Sequence, residues 1–485
     1  MYERDNQVLA YGWHSLTRGD VDRVNRSIDD VYQKRSSCPF IETEAAFALA
    51  ACLYTGRTLD DLSTLQVRCL SHWPLNPIAS DITVGLYQVS SHWGWLLPAG
   101  RPGKQEYESP TAAAQSINHS ENLWLPTTTG VIALAKLSFS RRGISLPVAQ
   151  APIFETPVPL LRAAMKRLLR SDKTVRRAGT TLEAVERWLT GALRFIAGGD
   201  AAVARVVTDR ADLQSRTTSY YTSITQPQVE AAWNATVAPL TQIVIRSAPS
   251  AALMLQAYGS QYCPKEEELA KLRTRLVGDI LNASTSVEHL RAQTLYTVVL
   301  LTLGIALRPT RQSVLARRIF DSATGFGVVD DKRQDDGFTA RVAWFPPQLR
   351  SQLGIYDTIL AKLAPQIAII QGIPNNPTGS DGYNFFTYDF RGNLYKTNVS
   401  AELGSLKTRH DCHFVPNFAR HFMRTRLVGH CSSETLHAFM GHWLRGTEPW
   451  GTESGFDPLL YRQDLMQCLV PVLTDRQWTS VASRV

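Results

Sequence analysis

Leu295-Tyr-Thr-Val-Val-Leu-Leu-Thr-Leu-Gly-Ile-Ala-Leu307, followed by Arg308-Pro309, is the stretch that decides the fold. It carries no charge and no polar stripe, and it is too short to span a bilayer, so it reads as a helix buried on every side. Pro309 has no amide proton and its ring disfavours helix at the residue before it, which ends the helix on its arginine. Such an arginine is either a solvated cation answering the helix dipole or a fixed clamp for an anion. Later segments favour the clamp. Asn417-Phe-Ala-Arg420-His421 brings a second arginine, Met440-Gly-His442-Trp443 brings a histidine, and Tyr461 follows. A pentavalent phosphoryl transition state spreads charge over its non-bridging oxygens, and fixed guanidinium forks neutralise that charge without reorganising. A late tyrosine supplies a nucleophile.

In this order the residues resemble the tyrosine recombinases, the phage-integrase family. Leu303-Gly-Ile-Ala-Leu-Arg-Pro-Thr-Arg311 is similar to their first arginine box, Asn417 to His421 to the second, and Met440 to Trp443 to the third. The likeness covers residues 286 to about 470. It implies a mainly α catalytic domain with a small antiparallel β-sheet, preceded by a helical DNA-binding region. It also implies a site-specific DNA recombinase or integrase in which the Tyr461 phenol attacks a DNA phosphate, leaving a 3′-phosphotyrosine and a free 5′-hydroxyl. Arg308, Arg420 and His442 would stabilise the phosphorane, Lys332 would protonate the leaving oxygen, and His421 would support the pocket or contact DNA. No cofactor and no metal are required. Double-stranded DNA is the implied partner, with self-assembly into a tetramer on it, integration or excision of a mobile genetic element as the outcome, and a cytoplasmic, nucleoid-associated location.

Three positions depart from the family pattern. Asn417 stands where the second box usually opens with histidine; it can hydrogen-bond a phosphate oxygen but cannot shuttle a proton near neutral pH. The interval from His442 to Tyr461 is longer than usual, and the segment Arg445 to Pro458 is loop-like in its Gly, Pro and Ser content. Arg311 takes a place that is often acidic, where it either adds a phosphate contact or faces solvent. The family's lysine sits on a hairpin turn. Here Val328-Val-Asp-Asp-Lys332-Arg-Gln-Asp-Asp-Gly and then Phe338-Thr-Ala-Arg-Val-Ala-Trp-Phe make a hairpin on their own pattern, with Arg333 as the substitute should Lys332 be merely solvated. Phe386 to Lys396 is similar to the family's segment before the second box.

Composition sets the frame. With 485 residues and 44% hydrophobic content the chain is globular, not disordered. We expect an N-terminal helical region over 1–158, a helical DNA-binding region over 159–285 and the catalytic domain over 286–485, with the boundary near 285 the clearest. Seven scattered cysteines without regular spacing suggest reduced thiols. The N-terminus lacks the apolar core of a signal peptide, and nothing in the chain suggests a membrane partner. The net charge of +8 is concentrated between Leu160 and Arg177. There Arg162, Lys166 and Arg170 recur every four residues, which lines one helix face to follow a phosphate backbone, or simply to meet water. Six of the eleven histidines lie between 410 and 442 around Cys412, yet His410-Asp-Cys-His413 has no matching second ligand pair, so zinc is not expected.

The N-terminal half carries an echo of the same pattern. Phe47-Ala-Leu-Ala-Ala-Cys-Leu-Tyr-Thr-Gly-Arg57 resembles the first box, Glu183-Ala-Val-Glu-Arg187-Trp188 has the shape of the second, and Tyr220-Tyr221 falls near a nucleophile's place. Asp209 lies as far beyond Arg187 as His442 beyond Arg420, but a carboxylate would repel phosphate. A degenerate, DNA-gripping copy and a chance spacing both explain this. Two further function classes stay open: a catalytically inactive DNA-binding relative, and a metal-dependent hydrolase using the histidine cluster. Otherwise the first 285 residues read as mostly helical, with loop-rich stretches from Trp93 to Ser120 and from Pro147 to Pro159, and helices over Thr180 to Phe195 and Gln228 to Met254.

Overall fold

The computed structural model describes residues 16–70, 83–89, 92–103, 105–147, 150–171, 180–195, 199–210, 213–241, 251–309, 315–330, 340–371, 385–443, 448–451 and 454–482. The chain divides into two compact units, one of residues 1–104 and 118–259, the other of 105–117 and 260–485. Position 285 therefore lies inside the second unit.

In the first unit, α1 (Arg18–Gln33) and α2 (Phe40–Thr55) precede the short α3 (Leu59–Ser63). Strands β1 (Gln66–Leu70), β2 (Gly85–Val89) and β3 (His92–Pro98) follow, and after the short α4 (Pro110–Gln115) of the second unit come β4 (Asn122–Pro126), α5 (Thr129–Arg141) and β5 (Ala151–Pro152). These strands form one five-stranded sheet, β4-β3-β2-β1-β5, in which β1 and β2 run parallel and the other neighbours antiparallel. The N-terminal region is mostly helical as expected, but the sheet corrects the expectation of a loop from Trp93, since Trp93 to Pro98 belong to β3. Gly94 is required there by a close neighbour: a Cβ on it would collide with the Trp124 ring of β4. Composition alone marks such a glycine as a loop residue.

Helices α6 (Val158–Ser171), α7 (Leu182–Phe195) and α8 (Ala201–Thr208) follow, then α9 (Leu213–Tyr221), β6 (Ser223–Thr225), α10 (Gln226–Val237), α11 (Ala251–Met254) and β7 (Ala257–Gly259). The unit is built round α2, where every residue from Thr43 to Thr55 is buried beneath α1, α5, α6 and α7. Even Glu44 is buried there, its carboxylate accepting the amides of Glu155 and Thr156 at 2.8 and 2.9 Å. Two backbone donors make burial of that charge tolerable.

The second unit repeats the device. After α12 (Glu266–Asn282), the helix α13 (Ser286–Gly304) starts at a capping box between Thr285 and Glu288 and is buried from Ala292 to Gly304. It is packed by α12, by α14 (Pro347–Lys362), α16 (Val399–His410), α17 (Phe418–Leu427) and by strand β11 (Phe385–Tyr388). The remaining elements are the three-stranded sheet of β8 (Leu315–Phe320), β9 (Phe326–Val329) and β10 (Arg341–Trp344), the helix α15 (Ala364–Gln371), β12 (Leu394–Thr397) paired with β11, α18 (Ser433–Met440) and α19 (Pro458–Asp475). Both sheets are antiparallel, and the molecule is mainly helical. Strands β9 and β10 pair Val328 with Val342 and flank the expected turn.

Candidate phosphate-binding site

The buried helix stops earlier than its proline demands. It ends at Gly304, and Ala306 takes a left-handed conformation with φ 46°. That conformation strains a residue bearing a Cβ, and it turns two carbonyls off the helix axis. Both are used. Arg341 of β10 donates to the Ile305 and Ala306 carbonyls at 2.8 and 3.4 Å and to the Phe439 carbonyl at 2.7 Å. Arg420 of α17 donates to the same Ala306 carbonyl at 2.5 Å and to the Met440 carbonyl at 2.6 Å. One bend thus ties the end of α13 to β10 and α17, and both to the end of α18.

That end is itself shaped for the site. Gly441 closes α18 in a left-handed conformation, φ 65°, and a Cβ on it would press on the Arg341 side chain at 3.0 Å. The turn swings His442 back toward Arg420, whose Nη2 lies 3.0 Å from Nε2 of the imidazole. A guanidinium has no acceptor, so Nε2 accepts and the proton of the neutral ring resides on Nδ1. Burial is the main reason the His442 pKa is held well below its usual value, and the cations Arg420, Arg424, Arg308 and His437 add to it. Arg420 and Arg424 are fully buried, and Arg308 is half-buried. The hydrogen bonds from Arg420 to Ala306, Met440 and His442 go to neutral groups, which fix the guanidinium without cancelling its charge. Such a cluster favours an anion.

Tyr461 belongs to a neighbouring layer. Its ring is fully enclosed against Phe326, Trp450 and Phe456, with centroids 6.4, 5.2 and 5.6 Å away. Burial raises its pKa, while the charge of Arg341 and the backbone of Trp344 act in the opposite sense. Arg341 in turn shares the Ala306 carbonyl with Arg420. Arg341 was not among the residues expected at the site. Its signal was weak but present, a lone charge amid the apolar residues of Arg341-Val-Ala-Trp-Phe.

The other expected residues are dispersed. Asn417 precedes α17 half-buried, and its side chain does not cap the helix. His421 is wholly buried, with Nδ1 2.7 Å from Ser260 Oγ and the ring edge-on to Tyr262. Burial, reinforced by Arg420, lowers its pKa to about 3, so it is a neutral core histidine and not a surface contact for DNA. Lys332, Arg333 and Arg311 lie outside the described residues. Of the basic stripe on α6, Arg162 binds both oxygens of Asp60 at 2.9 and 2.7 Å, while Lys166 and Arg170 are exposed. No group of side chains suited to a metal ion occurs among the described residues.

The suspected N-terminal copy resolves differently. Arg57 follows α2 and Gly56, donates to the Pro98 and Val207 carbonyls, and lies 3.5 Å from Asp209. Burial lowers its pKa to about 10, against the pull of Asp209. Arg187 pairs with Glu183 on the surface, and Tyr220 and Tyr221 pack on each other at the end of α9. Comparison with protein-family models, with curated proteins and with solved structures finds no match, so the functional reading rests on this chain's own residues.

Proposed function

We propose that the second unit cuts and rejoins double-stranded DNA through a phosphotyrosine intermediate, in the manner of the tyrosine recombinases. The observation that carries this is the Arg420–His442 pair, 3.0 Å apart and joined by Arg308 and Arg424 in one cationic cluster. In this reading the scissile phosphate docks beside Arg308 and Arg420, which take up the charge developing on its non-bridging oxygens. Arg341 and Ala306 hold Arg420 in register. Tyr461 leaves its aromatic enclosure to attack phosphorus and gives up its phenol proton to solvent as the new bond forms. The bond to the 5′-oxygen breaks as that oxygen takes a proton from Lys332, and the reverse reaction with a new 5′-hydroxyl rejoins the strand. Recombination of a mobile element, a tetrameric assembly on DNA and a nucleoid-associated location follow as parts of the same proposal.

A nicked suicide duplex tests it. The wild-type chain should trap a denaturation-resistant adduct, undiminished by EDTA, and Tyr461→Phe should trap none while costing only about 1 kcal/mol of stability for the lost hydroxyl. An adduct on Tyr461→Phe would refute the nucleophile. The enclosure of Tyr461 favours a second reading, a relative that binds DNA without cutting it; wild-type chain that binds duplex but never forms an adduct would select that one.

A further inference from the structure

We propose that the first unit holds a backbone phosphate of double-stranded DNA in an open cavity beneath α6, remote in role from the chemistry. The cavity has a volume of about 660 Å³ and is lined by Lys166 and Arg170 of α6, by Arg210 just after α8, and by the hydroxyl-bearing Thr58 and Thr181. Its charges are not balanced in place. Arg162, also on the wall, is fully engaged by Asp60, but Lys166 and Arg170 are exposed and make no ion pair among the described residues. Arg210 is the more telling group. Its Nε donates to the Gly56 carbonyl at 3.0 Å, whereas its buried Nη2 makes no hydrogen bond and stands 3.8 Å from the Glu186 carboxylate.

The two acids on the wall are partly committed. Glu186 is buried, accepts the Leu59 amide at 3.0 Å through one oxygen and makes a long ion pair with Arg210 through the other, and Glu183 pairs with Arg187 at 2.6 Å. An entering phosphate would give Arg210 the acceptor it lacks and would sit between two side chains one helical turn apart on α6. Charge-assisted bonds of that kind need no base contact, so the site would fix position on the duplex without reading its sequence. This extends the reading of the second unit as acting on DNA, but it depends on different residues.

The test uses the full chain and a labelled duplex, with binding followed by anisotropy across a salt series. Lys166→Gln combined with Arg170→Gln touches only exposed side chains and should leave the fold intact. The salt slope should fall by about 0.9, for the one phosphate that is no longer neutralised, and affinity near 0.15 M salt should drop by roughly fivefold. An unchanged slope would overturn the proposal. In a parallel arm inorganic phosphate alone is titrated into the chain; saturable uptake there with an unchanged DNA slope assigns the cavity to free phosphate and also overturns it. Adduct formation on the suicide duplex is read separately. A reduced slope in a chain that never forms an adduct would sustain the cavity and refute the phosphotyrosine reading, and the converse result would do the opposite.

Discussion

The two units are built alike and charged differently. Each wraps a helix with no polar face, α2 in one and α13 in the other, and each has a buried arginine near the place where that helix ends and a short helix closes in a left-handed residue. In the first unit Arg57 reaches the Val207 carbonyl of α8, and the closing residue is Asp209, which supplies a counter-charge at 3.5 Å. In the second, Arg341 reaches the Phe439 carbonyl of α18, the closing residue is Gly441, and His442 follows beside Arg420. The first arrangement satisfies its arginine internally. The second gathers cations around a neutral histidine and closes on a residue without charge. The difference lies in one or two residues after each short helix, and under the proposed function it separates a structural arginine from a chemical one.

The largest effect should therefore fall on Arg420. Arg420→Ala removes a preorganised charge from the transition state and should cut adduct formation by about 10²- to 10³-fold, roughly 3 to 4 kcal/mol, with duplex affinity within a few fold. Arg57→Ala should act on stability alone, by about 2 to 3 kcal/mol, since two carbonyls lose a donor and the buried stem leaves a void. Arg420→Ala, which also strips two carbonyls of a donor, should cost stability comparably and lose cleavage in addition. Urea melts and suicide-substrate assays on the folded fraction distinguish the two. A variant at Arg57 that melts normally but fails to cleave would break the contrast.

Acid should strike the units in opposite senses. His421, with its pKa lowered to about 3, and His442, also lowered, are neutral in the folded second unit, whereas an unfolded histidine takes up a proton near pH 6.5. Their contribution to stability is present above pH 6.5 and is lost as pH falls toward the folded values. Between pH 6.5 and 5 His421 should cost about 2 kcal/mol, and His442 acts in the same direction. In the first unit Glu186 and Asp209 have raised pKa values, burial being the larger cause in both. Their contribution is greatest at low pH and is lost as pH rises through the folded values. Hydrogen exchange corrected for intrinsic rates should show α17 losing protection at pH 5 while α2 keeps it.

Much of the second unit could be read from sequence because its signals were local. An uncharged run marked α13, two β-rich runs marked β9 and β10, and Arg420 and His442, singled out together, lie 3.0 Å apart. What escaped depended on long-range partners. Arg341 matters through carbonyls of Ile305 and Phe439, far away in the chain, and nothing near it announces that. The enclosure of Tyr461 is formed by rings from β9 and from the segment before α19. Strand β3 was missed because Pro98, Gly100, Pro102, Gly103 and Pro110 give the stretch the composition of a loop, while Gly94 within the strand answers to the Trp124 ring across the sheet.

The smallest effect concerns the two helix ends themselves. Gly56 and Ala306 both sit in left-handed conformations, φ 66° and 46°, but only one has a Cβ. Gly56→Ala should destabilise the first unit by about 2 kcal/mol, because the new Cβ adds left-handed strain and meets Thr208 Cγ2 at 2.6 Å. Ala306→Gly has opposing parts: relief of about 1 to 2 kcal/mol of strain, against about 0.5 to 1 for glycine's extra chain entropy and about 0.8 for a buried methyl. Its net change in a urea melt should lie within about 0.5 kcal/mol of zero. Cleavage is the sensitive readout there, since the Ala306 carbonyl is shared by Arg341 and Arg420 and a looser bend lets both drift. A few-fold loss of adduct rate at unchanged stability would assign the strained alanine to positioning the arginines; an unchanged rate would make the bend a mere chain reversal, like the one at Gly56.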